Sequence, residues 1–247
     1  VKRPLFFAAA ALLAAFVPAT AARAQYTFTG FGPAQWGAAD ATLGVAGLTV
    51  ENFEDVNLAP GLQVGATSSL GTYGPTSVLP QTFNPSTQDG FGSAFVGGNW
   101  DGANVLVNTG TNRPGNYGIA AVWGSVTFTF AGAGTDTLGF SLQQAQAQVG
   151  VSINGVSVGS LQSLAGLSTS SGRVGYIRID ATGSAAPIQT LTLTNNASGD
   201  GWVVDHLAFR AGTAAVPEPG TLALSLAAFG AVGVFARRRV GRAGGRA

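Results

Sequence analysis

The chain of 247 residues has no cysteine, no methionine and a single histidine, His206. Without cysteine there is no disulfide framework, so the fold must rest on a packed core and, where present, on bound ions. One histidine and no cysteine also exclude a catalytic metal held by a His/Cys cluster. Charge is scarce: 9% of the residues are Asp, Glu, Lys or Arg, against about 25% in ordinary globular proteins. Gly, Ser, Thr, Asn and Gln must supply the solvated surface instead. Positive charge is scarcer still away from the ends. Residues 25–215 carry four basic residues (Arg113, Arg173, Arg178, Arg210) and ten acidic ones, and four minus ten gives a net charge of −6. That excludes the basic footprint of a nucleic-acid-binding protein. The glycines around Gly97, Gly98 and Gly102 are followed neither by Lys-Ser/Thr nor by a helical pattern, which excludes a phosphate-cradling loop. No repeat of solenoid spacing is present.

The long apolar runs lie at the two ends. Lys2 and Arg3 precede an apolar core over residues 5–17, and Ala22 and Ala24 place small residues at both recognition positions before Gln25. Residues 1–24 therefore read as a secretory signal peptide cleaved between Ala24 and Gln25, which implies export through the Sec translocon. At the other end come Val216, Pro217, Glu218, Pro219 and Gly220, then an apolar run over residues 222–236, then Arg237, Arg238 and Arg239. The two prolines fix their own φ and disfavour helix at Val216 and Glu218, so this element is expected to be extended and accessible to a processing enzyme. The fifteen residues 222–236 would cover about 22 Å as a helix, short for a hydrocarbon core of about 30 Å. The arginines prefer the cytoplasmic side, so the segment is expected to stop translocation and hold the protein in the inner membrane before processing. Residues 240–247 add a basic cytoplasmic tail with Arg242 and Arg246.

In order and content, residues 216–239 resemble the PEP-CTERM sorting signal of Gram-negative bacteria. The resemblance implies an exosortase, a membrane-embedded cysteine peptidase-like enzyme, as the partner that recognises the motif and removes or replaces the tail. It also implies a host that makes exopolysaccharide, with the product at the cell surface or outside the cell. The same signal also goes under the label of an ice-binding protein C-terminal domain, which says nothing about ice.

Residues 25–215 have the size of one large β domain. Strands are expected at 26–31 and 43–53, and a short one at 105–107. Between 57 and 117, Pro60, Pro75, Pro80, Pro85 and Pro114 allow only short strands and long loops. Phe91, Phe95, Trp100 and Tyr117 in that stretch read as loop residues pinned to the core, with a sugar-stacking platform as the functional alternative. Further on, Val126, Phe128 and Phe130 alternate with threonines, Leu138, Phe140 and Leu142 with Gly139 and Ser141, and Val149, Val151 and Ile153 with Gly150 and Ser152. These are half-buried antiparallel strands. Asn154-Gly155 between two such runs predicts a two-residue type I′ hairpin. Strands over 175–180, 189–194 and 202–209, with no convincing helix, complete an all-β, antiparallel sandwich of the jelly-roll type.

In the last strand, period-2 geometry puts Asp205 on one face with Val203, Leu207 and Phe209, and His206 on the other. That arrangement argues against a Ser-His-Asp site. A buried carboxylate needs partners. Phe53-Glu54 at the end of an early strand and Asp205 to Leu207 in the last one look like jelly-roll carbohydrate-binding modules, in which a structural Ca²⁺ joins the first and last strands. By that resemblance Glu54 and Asp205, with Glu51 or Asp55, would bind Ca²⁺ through hard oxygen ligands; the alternative is that Asp205 hydrogen-bonds to backbone amides or hydroxyls. The sequence is read as a non-catalytic surface or matrix protein that binds exopolysaccharide. A structural coat or adhesion protein without a small ligand is the main alternative. A glycoside hydrolase, which needs only two suitably spaced carboxylates, and an ice-binding face built on Thr190, Thr192 and Thr194 are lesser ones.

Overall fold

The computed structural model describes residues 25–68, 71–80, 82, 84, 99–108, 124–183, 185–196 and 201–210. Signal-peptide residues Ala22 and Ala24, the aromatics Phe91, Phe95 and Tyr117, and everything from residue 211 onward, the sorting motif and arginine cluster included, lie outside them. Among the described residues no helix is long and apolar enough to cross a membrane, and the run 222–236 lies outside that description.

Alternating apolar and small polar residues form twelve strands among the described residues. They are β1 (Gln25–Phe31), β2 (Thr49–Glu51), β3 (Leu62–Ser68), β4 (Gly71–Thr76), β5 (Leu106–Asn108), β6 (Ser125–Phe130), β7 (Thr137–Gln143), β8 (Val149–Ile153), β9 (Val156–Ser160), β10 (Arg173–Thr182), β11 (Thr190–Asn195) and β12 (Trp202–Phe209). One sheet runs β1-β10-β7-β12-β2 with β5 also beside β12, and the other runs β4-β3-β6-β11-β8-β9. The pairings are nested: β8 with β9, β7 with β10, β6 with β11 and β2 with β12, each antiparallel. This is one long hairpin rolled into two sheets, the jelly-roll arrangement of a β-sandwich.

Period 2 explains the core. Val126, Phe128, Phe130, Leu191, Leu193, Val151 and Ile153 face inward from the second sheet. Leu138, Phe140, Leu142, Ile177, Ile179, Val204, Leu207 and Phe209 meet them from the first. Phe130 and Phe209 touch across the gap with ring centroids 5.3 Å apart. Full burial of a side chain of this size contributes roughly 1.5–3 kcal/mol.

The two outer faces differ. On the second sheet, Thr127, Thr129, Thr190, Thr192 and Thr194 are half-buried, and Thr127 and Thr192 share a hydroxyl hydrogen bond of 2.9 Å. The outer face of the first sheet carries a second small cluster, Leu43, Val45, Tyr176 and Ala208, flanked by Phe31, Leu48, Val50 and Trp100. Residues from both faces of β12 are therefore buried, all eight of them.

The Asn154-Gly155 turn is as expected, with φ of 51° and 77°, and the Asn154 side chain accepts from the Gln189 and Thr190 amides at 2.8 and 3.1 Å. Two short helices, α1 (Asp40–Leu43) and α2 (Leu161–Ala165), were not legible, because four or five residues are too few to show a 3.6 period. The expected strand over 43–53 is corrected to Thr49–Glu51. Leu43 closes α1, and Gly44 in the left-handed region at φ 72° turns the chain there.

Candidate functional site

Asp205 of β12 stands opposite Ser141 of β7, yet the next pair is Ala208 opposite Gly139. His206 and Leu207 thus share the place of Phe140, a β-bulge, with His206 at φ 48°. The extra residue shifts the alternation. Leu207 and Phe209 join Trp202 and Val204 in the core. Asp205 lies in register with Ser141 and Tyr176, so it faces the covered outer side, and the His206 ring is on that side too, 5.9 Å from the Tyr176 ring. The expectation that Asp205 shares a face with Leu207 and Phe209, with His206 on the other, is corrected by this bulge.

Asp205 is fully buried. Its Oδ2 accepts from the Trp100 and Asp101 amides at 2.8 and 2.9 Å, and its Oδ1 from the His206 amide at 2.7 Å. The Ser141 hydroxyl donates to its main-chain oxygen at 3.0 Å. Burial pushes the carboxyl up to about 7, against the pull of the three N–H donors and with the charge of Asp101 adding to the rise.

The His206 ring is held between two carboxylates. Nδ1 hydrogen-bonds to Asp101 Oδ2, and Nε2 lies 3.0 Å from Asp40 Oδ1 at the start of α1. Both ring nitrogens can donate only as imidazolium. Burial favours the neutral ring, but the hydrogen bond and charge of Asp101, with those of Asp40, outweigh it and raise the pKa above 6.5. With both nitrogens committed to carboxylates, His206 is not offered to a hydroxyl nucleophile. Instead it clips α1 and the 99–104 loop onto the bulge. Tyr176 lies beneath, its hydroxyl donating to the His206 carbonyl at 3.4 Å. Gly139 makes room for it: a Cβ there would sit 2.6 Å from Tyr176 Cε1.

The residues expected to hold Ca²⁺ do not gather as a ligand set. Glu51 is buried and accepts from the Phe53 and Ala59 amides at 2.6 and 2.5 Å. Burial raises its pKa against those two hydrogen bonds. Glu54 Oε1 accepts from the Ala103 and Asn104 amides, both at 2.7 Å. Asp55 caps the Asn57 amide at 2.6 Å. Carboxylates aimed at N–H groups do not fit a cation, and the described residues contain no group of three or more His, Asp or Glu able to hold a metal. The structure does bring Glu54 and Asp205 to one segment, where Asp205 holds residues 100 and 101 and Glu54 holds 103 and 104.

That segment positions an aromatic pair. Trp100 meets Trp36 edge to face with ring centroids 4.9 Å apart and lies 5.0 Å from Tyr176. Both tryptophans are half-buried. Trp36 follows a 3₁₀ turn (Pro33–Gln35) packed on β10. Nothing in the sequence linked it to Trp100, far along the chain.

Residues 215–239 match the PEP-CTERM protein-sorting motif. The matched stretch contains Val216, Pro217, Glu218, Pro219 and Gly220 and ends on Arg237, Arg238 and Arg239. The chain thus carries the signal for exosortase processing, export and a destination at the cell surface or outside the cell. No curated protein matches the chain.

Proposed function

We propose that this exported, exosortase-sorted protein is a non-catalytic component of a Gram-negative cell surface or extracellular matrix and binds exopolysaccharide. Before processing, the run 222–236 holds it in the inner membrane, with Arg237 to Arg239 on the cytoplasmic side. The observation that carries the binding role is the half-buried Trp36–Trp100 pair, fixed in place by the Asp205 and Glu54 anchors. Sugar rings present C–H faces that pack on indole, and a surface sparse in charge and rich in hydroxyls and amides matches their hydroxyl groups. The non-catalytic reading is supported by the carboxylates. Glycoside hydrolysis needs a pair of carboxyl groups flanking the scissile bond, whereas those of Glu51, Glu54 and Asp205 receive backbone N–H groups and those of Asp40 and Asp101 hold the His206 ring.

Two measurements on protein recovered from its host test the proposal. Its mass should lack residues 1–24 and the sorting tail. It should be retained on the host's exopolysaccharide, and Trp100→Ala should lower retention at least several-fold. A mass that still includes the sorting tail refutes the processing step, and failure to retain any sugar class on a glycan array leaves a structural coat protein in its place.

A further inference from the structure

We propose that Arg173 and Gln143, beside the Trp36–Trp100 pair, form a subsite for a saccharide unit that bears a carboxylate. The inference rests on the polysaccharide-binding reading and names the class of sugar. Gln143 ends β7 and Arg173 begins β10, and the two are direct register partners. Leu142 and Val174 are the neighbours that enter the core, so Gln143 and Arg173 share the outer face of the first sheet.

Both amide atoms of Gln143 and the Nε of Arg173 are unused. Gln143 is fully buried, and neither its Oε1 nor its Nε2 has a hydrogen-bond partner. Arg173 Nε and Asn99 Oδ1 are buried and unpartnered as well. Buried amide atoms in folded proteins are almost always paired, so a group left this way calls for an explanation. The arginine is equally distinctive. Arg178 pairs with Asp180 at 2.8 Å and Arg210 with Asp136 at 3.8 Å. Among the described residues Arg173 has no carboxylate partner, although residues 25–215 carry a net negative charge. Its guanidinium instead lies over the Trp36 ring, 5.0 Å from the centroid. Stacking of this kind orients the guanidinium plane, whose complement is a planar anion.

The set selects among ligands. A guanidinium fork recognises a carboxylate in bidentate fashion. The acceptors Gln143 Oε1 and Asn99 Oδ1 need donors, which a simple anion such as acetate does not bring but a sugar's hydroxyls do. Trp36, whose Nε1 donates to the Asn99 carbonyl at 3.4 Å, offers an apolar surface to the ring. A uronic-acid residue supplies all three complements at once. A neutral sugar would leave the arginine without its counter-charge.

The experiment titrates the full chain in detergent with uronate oligomers from alginate and, separately, with dextran, reading tryptophan fluorescence and binding heat. The uronate oligomers should bind at least tenfold more tightly than dextran. Arg173→Gln should cut uronate affinity at least tenfold and leave dextran unchanged, with Arg173→Lys in between because it keeps the charge and loses the fork. Gln143→Leu should weaken uronate binding several-fold while its unfolding midpoint stays the same or rises, an outcome that a purely structural glutamine would not give. Equal affinity for the two polymers, full uronate affinity in Arg173→Gln, or displacement by acetate at equal carboxylate concentration overturns the subsite and leaves the general polysaccharide reading standing. Failure of both polymers and of the host's own exopolysaccharide to bind overturns both.

Discussion

Raising the pH from 5 to 8 should destabilise this protein, opposite to the behaviour of a fold held by ordinary paired carboxylates. Asp205 is the main reason. Its carboxyl titrates at about 7 in the folded chain, against 3.8 as the ordinary value. An acid whose pKa is raised by folding binds its proton more tightly in the folded state, so stability falls as pH climbs from the unfolded to the folded value. The whole span is worth about 4 kcal/mol, of which roughly 2–3 kcal/mol falls between pH 5 and 8. His206 acts in the same sense. Its raised pKa gives stability that is fully present below 6.5 and lost as pH rises through the folded value. The raised pKa of the buried Glu51 has the same sign as that of Asp205. For a domain of this size, roughly 2–3 kcal/mol corresponds to a fall in Tm of about 5–10 °C. Circular dichroism melts at pH 5, 6, 7 and 8, at one ionic strength, measure it. Asp205→Asn keeps an acceptor for the loop amides and removes the titrating proton, so it should flatten most of the slope even if its own midpoint is lower. A wild-type midpoint that is flat or rises over this range refutes the reasoning, and so does a slope undiminished in Asp205→Asn.

Three other changes test separate parts of the structure. Gly139→Ala drives a methyl group to within 2.6 Å of the Tyr176 ring and should cost about 1–3 kcal/mol in chemical denaturation; a neutral result would show that the ring moves aside freely. Glu54→Ala removes the acceptor for the Ala103 and Asn104 amides, and hydrogen exchange at those two positions should quicken about tenfold or more while the β6 and β11 amides stay protected. Adding a chelator should leave the melting midpoint unchanged, because Glu51, Glu54, Asp55 and Asp205 face N–H groups; a lower midpoint would reinstate the Ca²⁺ site.

The parts of the fold that could be read from the sequence are those governed by period 2 over one unbroken strand. The rows Val126-Phe128-Phe130 and Leu191-Leu193 alternate cleanly, and both enter the core as read. The Asn-Gly turn was legible because its positive φ values demand those residue types. The bulge was not. His206 is neither glycine nor asparagine, so nothing marks it as the residue at φ 48°, and one unmarked residue is enough to put Asp205 on the face opposite to Leu207 and Phe209. The need of Asp205 for partners was legible from the cost of burying a carboxylate. Their identity was not, since Trp100 and Asp101 lie 105 and 104 positions away.

The topology explains why those partners can reach Asp205. Two short strands share one edge of β12: β5 pairs with Trp202, Val203 and Val204, and β2 with Leu207, Ala208 and Phe209. Asp205 and His206 are left in the gap between them. The 99–104 loop leads into β5, so its amides arrive at that gap, where no ladder partner competes for them. Nested jelly-roll pairing brings β2 to the same edge from the start of the chain, and α1 lies just upstream of it with Asp40. An early helix, a mid-chain loop and the last strand thus converge where the bulge turns a carboxylate and an imidazole outward together. Filling the gap by extending either edge strand would require moving the loop that positions Trp100, so the bulge, the short edge strands and the aromatic pair stand or fall as one unit.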